Sequence, residues 1–164
     1  MILIGIGSNL AAPPAKTPLE TAEAGLNALR RIGIRVAVQS GWYLSEPVPV
    51  SEQPWFANAV AIIESELAPA ALLRRLQAIE VEFGRVRTVP NAARTLDIDL
   101  LDHDSLLCDT ATLTLPHPRL HERRFVLAPL CEIAPGWRHP GLGLTAMELL
   151  ARLPPGQPVR RVAD

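Results

Sequence analysis

One short alternation limits the folds open to this chain. Leu96, Ile98 and Leu100 alternate with Asp97 and Asp99, and Leu101 follows. In a strand, residues i and i+2 share a face and stand about 6.6–7 Å apart. The pattern therefore asks for a sheet with one face against a core and the other, carrying two carboxylates, turned to a polar site. Like charges at that separation repel and are costly to desolvate unless a cation lies between them. A pair of hard carboxylates suits Mg²⁺, which keeps waters and takes the rest of its shell from substrate phosphates. Just upstream lie Arg85, Arg87 and Arg94, on a segment that holds Pro90 and no long apolar run. Guanidinium groups grip phosphate oxygens in a fork. Carboxylates for a metal beside arginines for phosphate suggest phosphoryl transfer from a nucleotide. A solvated strand edge is the plainer reading of Asp-x-Asp, and Arg is the default cation here, since Lys16 is the only lysine. The weight comes from the order: Arg-x-Arg, a short loop, then Arg-Thr-Leu-Asp-Ile-Asp-Leu-Leu.

The rest of the chain supplies the sheet and its cover. Residues 1–7 read as a buried strand closed by Gly5, Gly7, Ser8 and Asn9. Thr17-Pro18-Leu19-Glu20 starts a helix, with Thr17 as N-cap, Pro18 at N1 and Glu20 at N3 of a capping box. Its apolar stripe is Leu19, Ala22, Leu26 and Leu29, and Gly33 is its stop. Residues 34–44 form a strand bent at Gly41. Residues 45–54 hold prolines 47, 49 and 54 and form a long loop of the kind that is often functional. Residues 56–66 return as a strand in which Asn58 stands among apolar neighbours. Pro69 opens a second helix whose Leu72, Leu76, Ile79 and Phe83 lie on one face, and Gly84 ends it. Gln77 and Glu80 lie one turn apart near its end, where solvated helix surface is the plainer reading.

Past the Asp strand, residues 102–105 are polar turn chemistry, with His103 a weaker candidate for extending the metal site. His117, between two prolines, is confined to non-helical backbone. A helix over 122–130 and a short amphipathic helix over 145–153, with Met147, Leu149, Leu150 and Leu153, complete the chain, and the tail 154–164 is expected to be poorly ordered. Strand, helix, strand, strand, helix, strand is the split βαβ order. The expected class is α+β: a ferredoxin-like βαββαβ core with an antiparallel sheet, helices packed on one side, and extra C-terminal helices.

Composition narrows the partners. A chain of 164 residues, 48% hydrophobic, is most simply one domain, expected over residues 1–153. Net charge −1 gives no basic field for nucleic acid. Without a signal peptide or an 18-residue apolar run, the chain is expected to be cytoplasmic, with no membrane partner. Cys108 and Cys131 form no CxxC and no disulfide framework. A monomer acting on small molecules is expected.

The stretch Arg94-Thr95-Leu96-Asp97-Ile98-Asp99-Leu100-Leu101 closely resembles the signature of the 6-hydroxymethyl-7,8-dihydropterin pyrophosphokinase (HPPK) family. Further blocks resemble the family in the same order: Ile4-Gly5-Ile6-Gly7-Ser8-Asn9-Leu10, Gln53-Pro54-Trp55-Phe56-Ala57-Asn58-Ala59-Val60, Leu113-Thr114-Leu115-Pro116-His117, and Arg123-Arg124-Phe125-Val126-Leu127-Ala128-Pro129-Leu130. The resemblance implies the same α+β fold and an ATP-dependent pyrophosphokinase of folate biosynthesis. ATP and 6-hydroxymethyl-7,8-dihydropterin are the implied substrates, and AMP and the pterin pyrophosphate the products. It implies two Mg²⁺ on Asp97 and Asp99, and catalytic roles for Arg85, Arg87, Arg94, Asp97 and Asp99. Nucleotide contacts fall on Gln77, Glu80, Arg85, Arg94, Leu100, Thr114, His117 and Arg123. Pterin contacts fall on Ser45, Val48, Phe56, Asn58 and Phe125, two aromatic faces and an amide for a flat polar heterocycle. Two departures stand out. Pro90-Asn91-Ala92-Ala93 replaces the basic residue and Trp that the family carries before Gly-Pro-Arg, and Pro118 follows His117 where Tyr is expected.

Two other classes share some of these features. A ferredoxin-like ligand-binding module would want exposed aromatics and, for RNA, a basic face. A two-metal phosphoesterase normally gathers more His and Asp ligands than one Asp-Ile-Asp supplies. The fate of ATP separates them: AMP for a pyrophosphokinase, ADP or phosphate for a hydrolase, no turnover for a module.

Overall fold

The structure, a computed structural model, describes residues 1–86 and 90–163. Its strands and helices run β1 (Ile2–Ser8), α1 (Pro18–Arg31), β2 (Arg35–Gln39), β3 (Tyr43–Ser45), β4 (Phe56–Glu64), α2 (Pro69–Glu82), β5 (Asp97–His103), β6 (Cys108–Asp109), β7 (Thr114–Leu115), α3 (Arg124–Ile133), α4 (Ala146–Arg152) and β8 (Val159–Arg161). A single 3-10 turn, Leu120–Glu122, precedes α3.

The main sheet runs β5-β1-β4-β3-β8, with β2 on the same side of β4 as β3, and every pairing is antiparallel. This is the ferredoxin-like order expected from the sequence. Thr17 caps α1 by accepting from the Glu20 amide, while the Glu20 carboxylate turns back to the Lys16 amide at 2.7 Å and not to Thr17. Gly33 and Gly84, which follow the first two helices, take φ +82 and +80, the left-handed region that glycine enters at no steric cost.

Alternation decides what each face of the sheet does. Ile2, Ile4 and Ile6 of β1, Ala59, Ala61 and Ile63 of β4, and Ile98 and Leu100 of β5 pack under α1 and α2 with Leu26, Leu29, Leu72, Leu76 and Ile79. Leu96, just before β5, joins them, so the apolar half of the Asp strand is core as expected. Leu3, Val60 and Leu101 point the other way, into a second core closed by α3 and α4 with Leu127, Leu130, Trp137 and Leu149. The sheet is thus covered on both faces, with the C-terminal helices over one end of its second face.

Several local expectations change. The strand over 34–44 divides into β2 and β3, with Ser40, Gly41 and Trp42 as the bend. Asp102 and His103 extend β5 and are no turn; Asp102 is buried and accepts from Trp137 Nε1 at 2.9 Å. His103 contacts the Leu67 carbonyl at 3.1 Å. Met147 is 61% exposed, off the buried stripe of α4. The tail, expected to be poorly ordered, carries β8, because its Val159, Arg160 and Arg161 pair with Ser45, Leu44 and Tyr43. Both cysteines are free. Among the described residues no helix is long and apolar enough to cross a membrane.

Candidate functional site

Strand register builds the site. Gly5 of β1 lies opposite Val60 on one side and Asp99 on the other; Gly7 lies opposite Asn58 and Asp97. Directly paired residues share a face. Two rows therefore cross the sheet on its second face: Asp99, Gly5, Val60, and beyond it Asp97, Gly7, Asn58, Tyr43. Moving along the strands, Leu3 gives way to the two glycines, Val60 to Asn58 and Leu101 to the aspartates. The apolar cover of α3 and α4 is thereby exchanged for a cavity. Asp97 and Asn58 sit two strand spacings apart, roughly 9–10 Å, with glycine between them. A Cβ at Gly7 would come within 3.0 Å of Asn58 Oδ1, so a side chain there would crowd the floor.

The cavity over this floor is lined by Ser45, Glu46, Pro47, Val48, Phe56, Asn58, Asn91, Arg94, Asp97, Asp99, Arg119, Glu122, Arg123, Phe125 and Gln157, among others. All five residues expected to hold a pterin are here. Asn58 donates to Ser45 Oγ at 2.8 Å, which aims its amide along the wall. A second cleft runs along the outer edge of β5 and is lined by Leu73, Gln77, Glu80, Arg85, Leu100, residues 110–114, His117 and Pro118. Six of the residues expected to meet a nucleotide line it: Gln77, Glu80, Arg85, Leu100, Thr114 and His117. Arg94 and Arg123 open into the first cavity. Asp97 and Asp99 line both spaces. Arg87 lies outside the described residues.

The charges are arranged around the two aspartates. Arg85 bridges Glu80 and Asp97, and Arg94 pairs with Asp97 at 2.5 Å. Burial pushes the Asp97 carboxyl up, but the Arg94 and Arg85 guanidinium groups outweigh it and hold Asp97 below the usual carboxylate range. Asp99 has Arg123 at 3.3 Å and His117 at 3.8 Å. Burial and the adjacent Asp97 charge push it up to about 7. Burial, with Arg123 nearby, pushes His117 down to about 4, so its imidazole is neutral at pH 7. Glu80 is 2% exposed and also accepts from the Ile98 amide at 2.7 Å. It is no solvated surface group: it fixes the free edge of β5 and Arg85 together.

The donor set fits a hard divalent cation. It is all oxygen, and Asp99 retains the unrelieved repulsion that a cation would remove. Among the described residues no cluster of three or more His, Cys, Asp or Glu side chains is placed to hold a metal unaided, and a cation held by the two aspartates would take the rest of its shell from water or a bound ligand.

Four residues of the site had no role assigned from the sequence: Gly5, Gly7, Asn9 and Gln157. Gly5 and Gly7 are floor residues inside β1, and their period-two spacing opposite Ile4 and Ile6 was the available signal. Asn9, fully buried, accepts from the Arg94 amide at 2.7 Å and donates to Gln53 Oε1 and the Pro54 carbonyl, both at 3.2 Å. It ties the two loops that flank the cavity. Gln157 had no signal, because its place depends on β8.

The fold and the site define a class: an α+β protein in which two clefts meet at one pair of carboxylates beside clustered arginines. A sequence model described as 7,8-dihydro-6-hydroxymethylpterin-pyrophosphokinase (HPPK) matches residues 3–135. The chain is 42% identical over 154 residues to the 2-amino-4-hydroxy-6-hydroxymethyldihydropteridine pyrophosphokinase of Pseudomonas aeruginosa, covering 93% of this chain and 91% of that protein. It is 42% identical over 132 residues to the protein of the same name from Haemophilus influenzae, covering 80% and 79%. It is 36% identical over 152 residues to the folic acid synthesis protein fol1 of Schizosaccharomyces pombe, covering 92% of this chain and 20% of that longer one. The chain belongs to the HPPK family, whose activity is pyrophosphoryl transfer in folate biosynthesis.

Proposed function

We propose that this chain transfers the β,γ-pyrophosphoryl group of ATP to the hydroxymethyl oxygen of 6-hydroxymethyl-7,8-dihydropterin. The new bond joins that oxygen to the β-phosphorus; the bond from the β-phosphorus to the oxygen bridging to the α-phosphorus breaks, AMP leaves, and the hydroxyl proton is lost. The observation that supports this best is the pair of clefts meeting at Asp97 and Asp99. A donor in one and an acceptor in the other would meet at these carboxylates.

The nucleotide takes the β5-edge cleft, with the base side toward Gln77, Leu100 and Thr114 and the phosphates toward Arg85, His117 and Arg123. The pterin takes the cavity, between Phe56 and Phe125, with Asn58 and Ser45 on its edge and Val48 at its rim. Two Mg²⁺ held by Asp97 and Asp99 would neutralise the triphosphate and lower the pKa of the attacking hydroxyl. Arg85 and Arg94, paired with Asp97 in the free protein, would offer phosphate oxygens a guanidinium fork that binds at two points. Neutral His117 can donate to a phosphate oxygen without titrating near pH 7. Such reactions need positioning and charge neutralisation more than covalent chemistry. Arg87 is assigned to loop closure, and the enzyme to a cytoplasmic monomer.

The test is product identity. ATP, the dihydropterin and Mg²⁺ with the purified protein should give AMP in step with pterin consumed. ADP or phosphate would point to a hydrolase, and no turnover to a binding module.

A further inference from the structure

The C-terminal segment lies beyond the residues matched by the family model, which ends at 135, yet it reaches the cavity. Gln157 lines that cavity beside Ser45, Glu46, Pro47 and Val48. Its Nε2 donates to the Glu46 carbonyl at 2.6 Å, and the Glu46 amide donates to the Pro158 carbonyl at 3.3 Å. The next residues pair in register, Val159 opposite Ser45, and the Val162 amide donates to the Trp42 carbonyl at 2.8 Å. Between them, Arg161 joins Glu132 of α3 at 3.3 Å. The same carboxylate accepts from the Gly41 amide and the Tyr43 hydroxyl. Arg124, beside Phe125 at the start of α3, reaches the Pro154 carbonyl at 3.4 Å.

These ties fall where the loop most needs them. Pro47 and Pro49 have no amide hydrogen to donate. Glu46 is therefore the last residue before the prolines that can be gripped through both its amide and its carbonyl. Strand β3 is three residues long, and β8 is its outer partner. Without the tail, Ser45 and Val48 would hang from a short edge strand ahead of a proline-rich loop.

We propose that Gln157 is a positioning residue for the pterin side of the site. Its amide fixes the Glu46 carbonyl, and through it the placing of Ser45 and Val48, so the C-terminal segment acts as a strap that preorganises the acceptor cavity. The inference rests on the pterin reading above and concerns the acceptor alone. Among the described residues, none from this segment lines the cleft assigned to the nucleotide.

The test uses the full chain, with Gln157→Met, which keeps length and loses the donor, and Gln157→Lys, which restores a donor. A neutral hydrogen bond contributes about 0.5–1.5 kcal/mol, or roughly two- to tenfold in affinity. Gln157→Met should raise KM for the dihydropterin about five- to tenfold, with kcat and KM for ATP within about twofold of the parent. Gln157→Lys should recover most of the loss, which a purely structural role would not require. Unchanged KM for the pterin in the Met variant, or equal rises in both KM values, would overturn the proposal while leaving the pyrophosphokinase reading intact. A parent enzyme that makes no AMP with the dihydropterin would overturn both.

Discussion

Asp97 and Asp99 carry the same side chain on the same face of one strand, yet removing their charges should move stability in opposite directions. Asp99 is pushed from its ordinary value up to about 7 by burial and by the Asp97 charge. A group whose pKa is raised on folding contributes stability below its unfolded value. That contribution is lost as pH rises toward the folded value, here between about pH 4 and 7. At about 1.4 kcal/mol per unit, a rise of that size has an upper bound of roughly 4 kcal/mol at pH 8. The side chain is 32% exposed, and screening cuts the figure to about 1–2 kcal/mol. Asp99→Asn should therefore stabilise the metal-free protein by about that much at pH 8 and by almost nothing near pH 4. Asp97 is held low by Arg94 and Arg85 against the effect of burial. Asp97→Asn leaves those guanidinium groups short of a counter-charge and should destabilise by about 2–4 kcal/mol. Urea denaturation in EDTA, from pH 4 to 8, reads both. The comparison with the parent cancels the titrations that the Asp99 substitution leaves unchanged and reads Asp99 together with its effect on Asp97. Asp99→Asn less stable than the parent at pH 8, or a gain that does not grow with pH, would refute the repulsion argument and with it the case for a cation between these carboxylates.

Other outcomes follow from the same geometry. Asp97→Ala and Asp99→Ala should each lower turnover by at least about 10²-fold with saturating Mg²⁺, checked by AMP release from protein of parental circular dichroism. Glu80→Gln keeps an acceptor for the Ile98 amide and loses the charge that holds Arg85, so KM for ATP should rise by about three- to tenfold while KM for the pterin holds; steady-state kinetics in both substrates decides. Burial lowers His117 to about 4, so its contribution is present above the unfolded value near 6.5 and is lost as pH falls from there toward 4. His117→Gln should flatten the loss of thermal stability over that window, and an unchanged profile would remove His117 from it. Asn9→Ala removes the link between two loops and takes the acceptor from the half-buried Arg94 amide, at a cost of about 1–2 kcal/mol read by urea denaturation.

The chain's own pattern determined a good deal. The Asp-Ile-Asp alternation fixed which side of β5 is core and which is site, because the two sides of a strand are a matter of local geometry. The Thr17 cap, Gly33, Gly84 and the Leu72-Leu76-Ile79 face are local in the same sense, and the order of strands and helices left few topologies to consider. What the pattern could not contain is distance between remote segments. Only the antiparallel register of β1 with β4 and β5 sets Gly7 between Asp97 and Asn58 and so makes the floor of the cavity. Only packing of α2 against β5 turns Glu80 from an exposed helix carboxylate into the buried holder of Arg85. Asp102 read as a turn residue until Trp137, 35 positions away, supplied its partner. The tail is the sharpest case: Pro154, Pro155, Gly156 and Pro158 have the composition of a disordered end, and their order comes from the free edge of β3. A polar or proline-rich segment is ordered when a distant element offers it hydrogen bonds, and that offer is written in the fold and not in the segment.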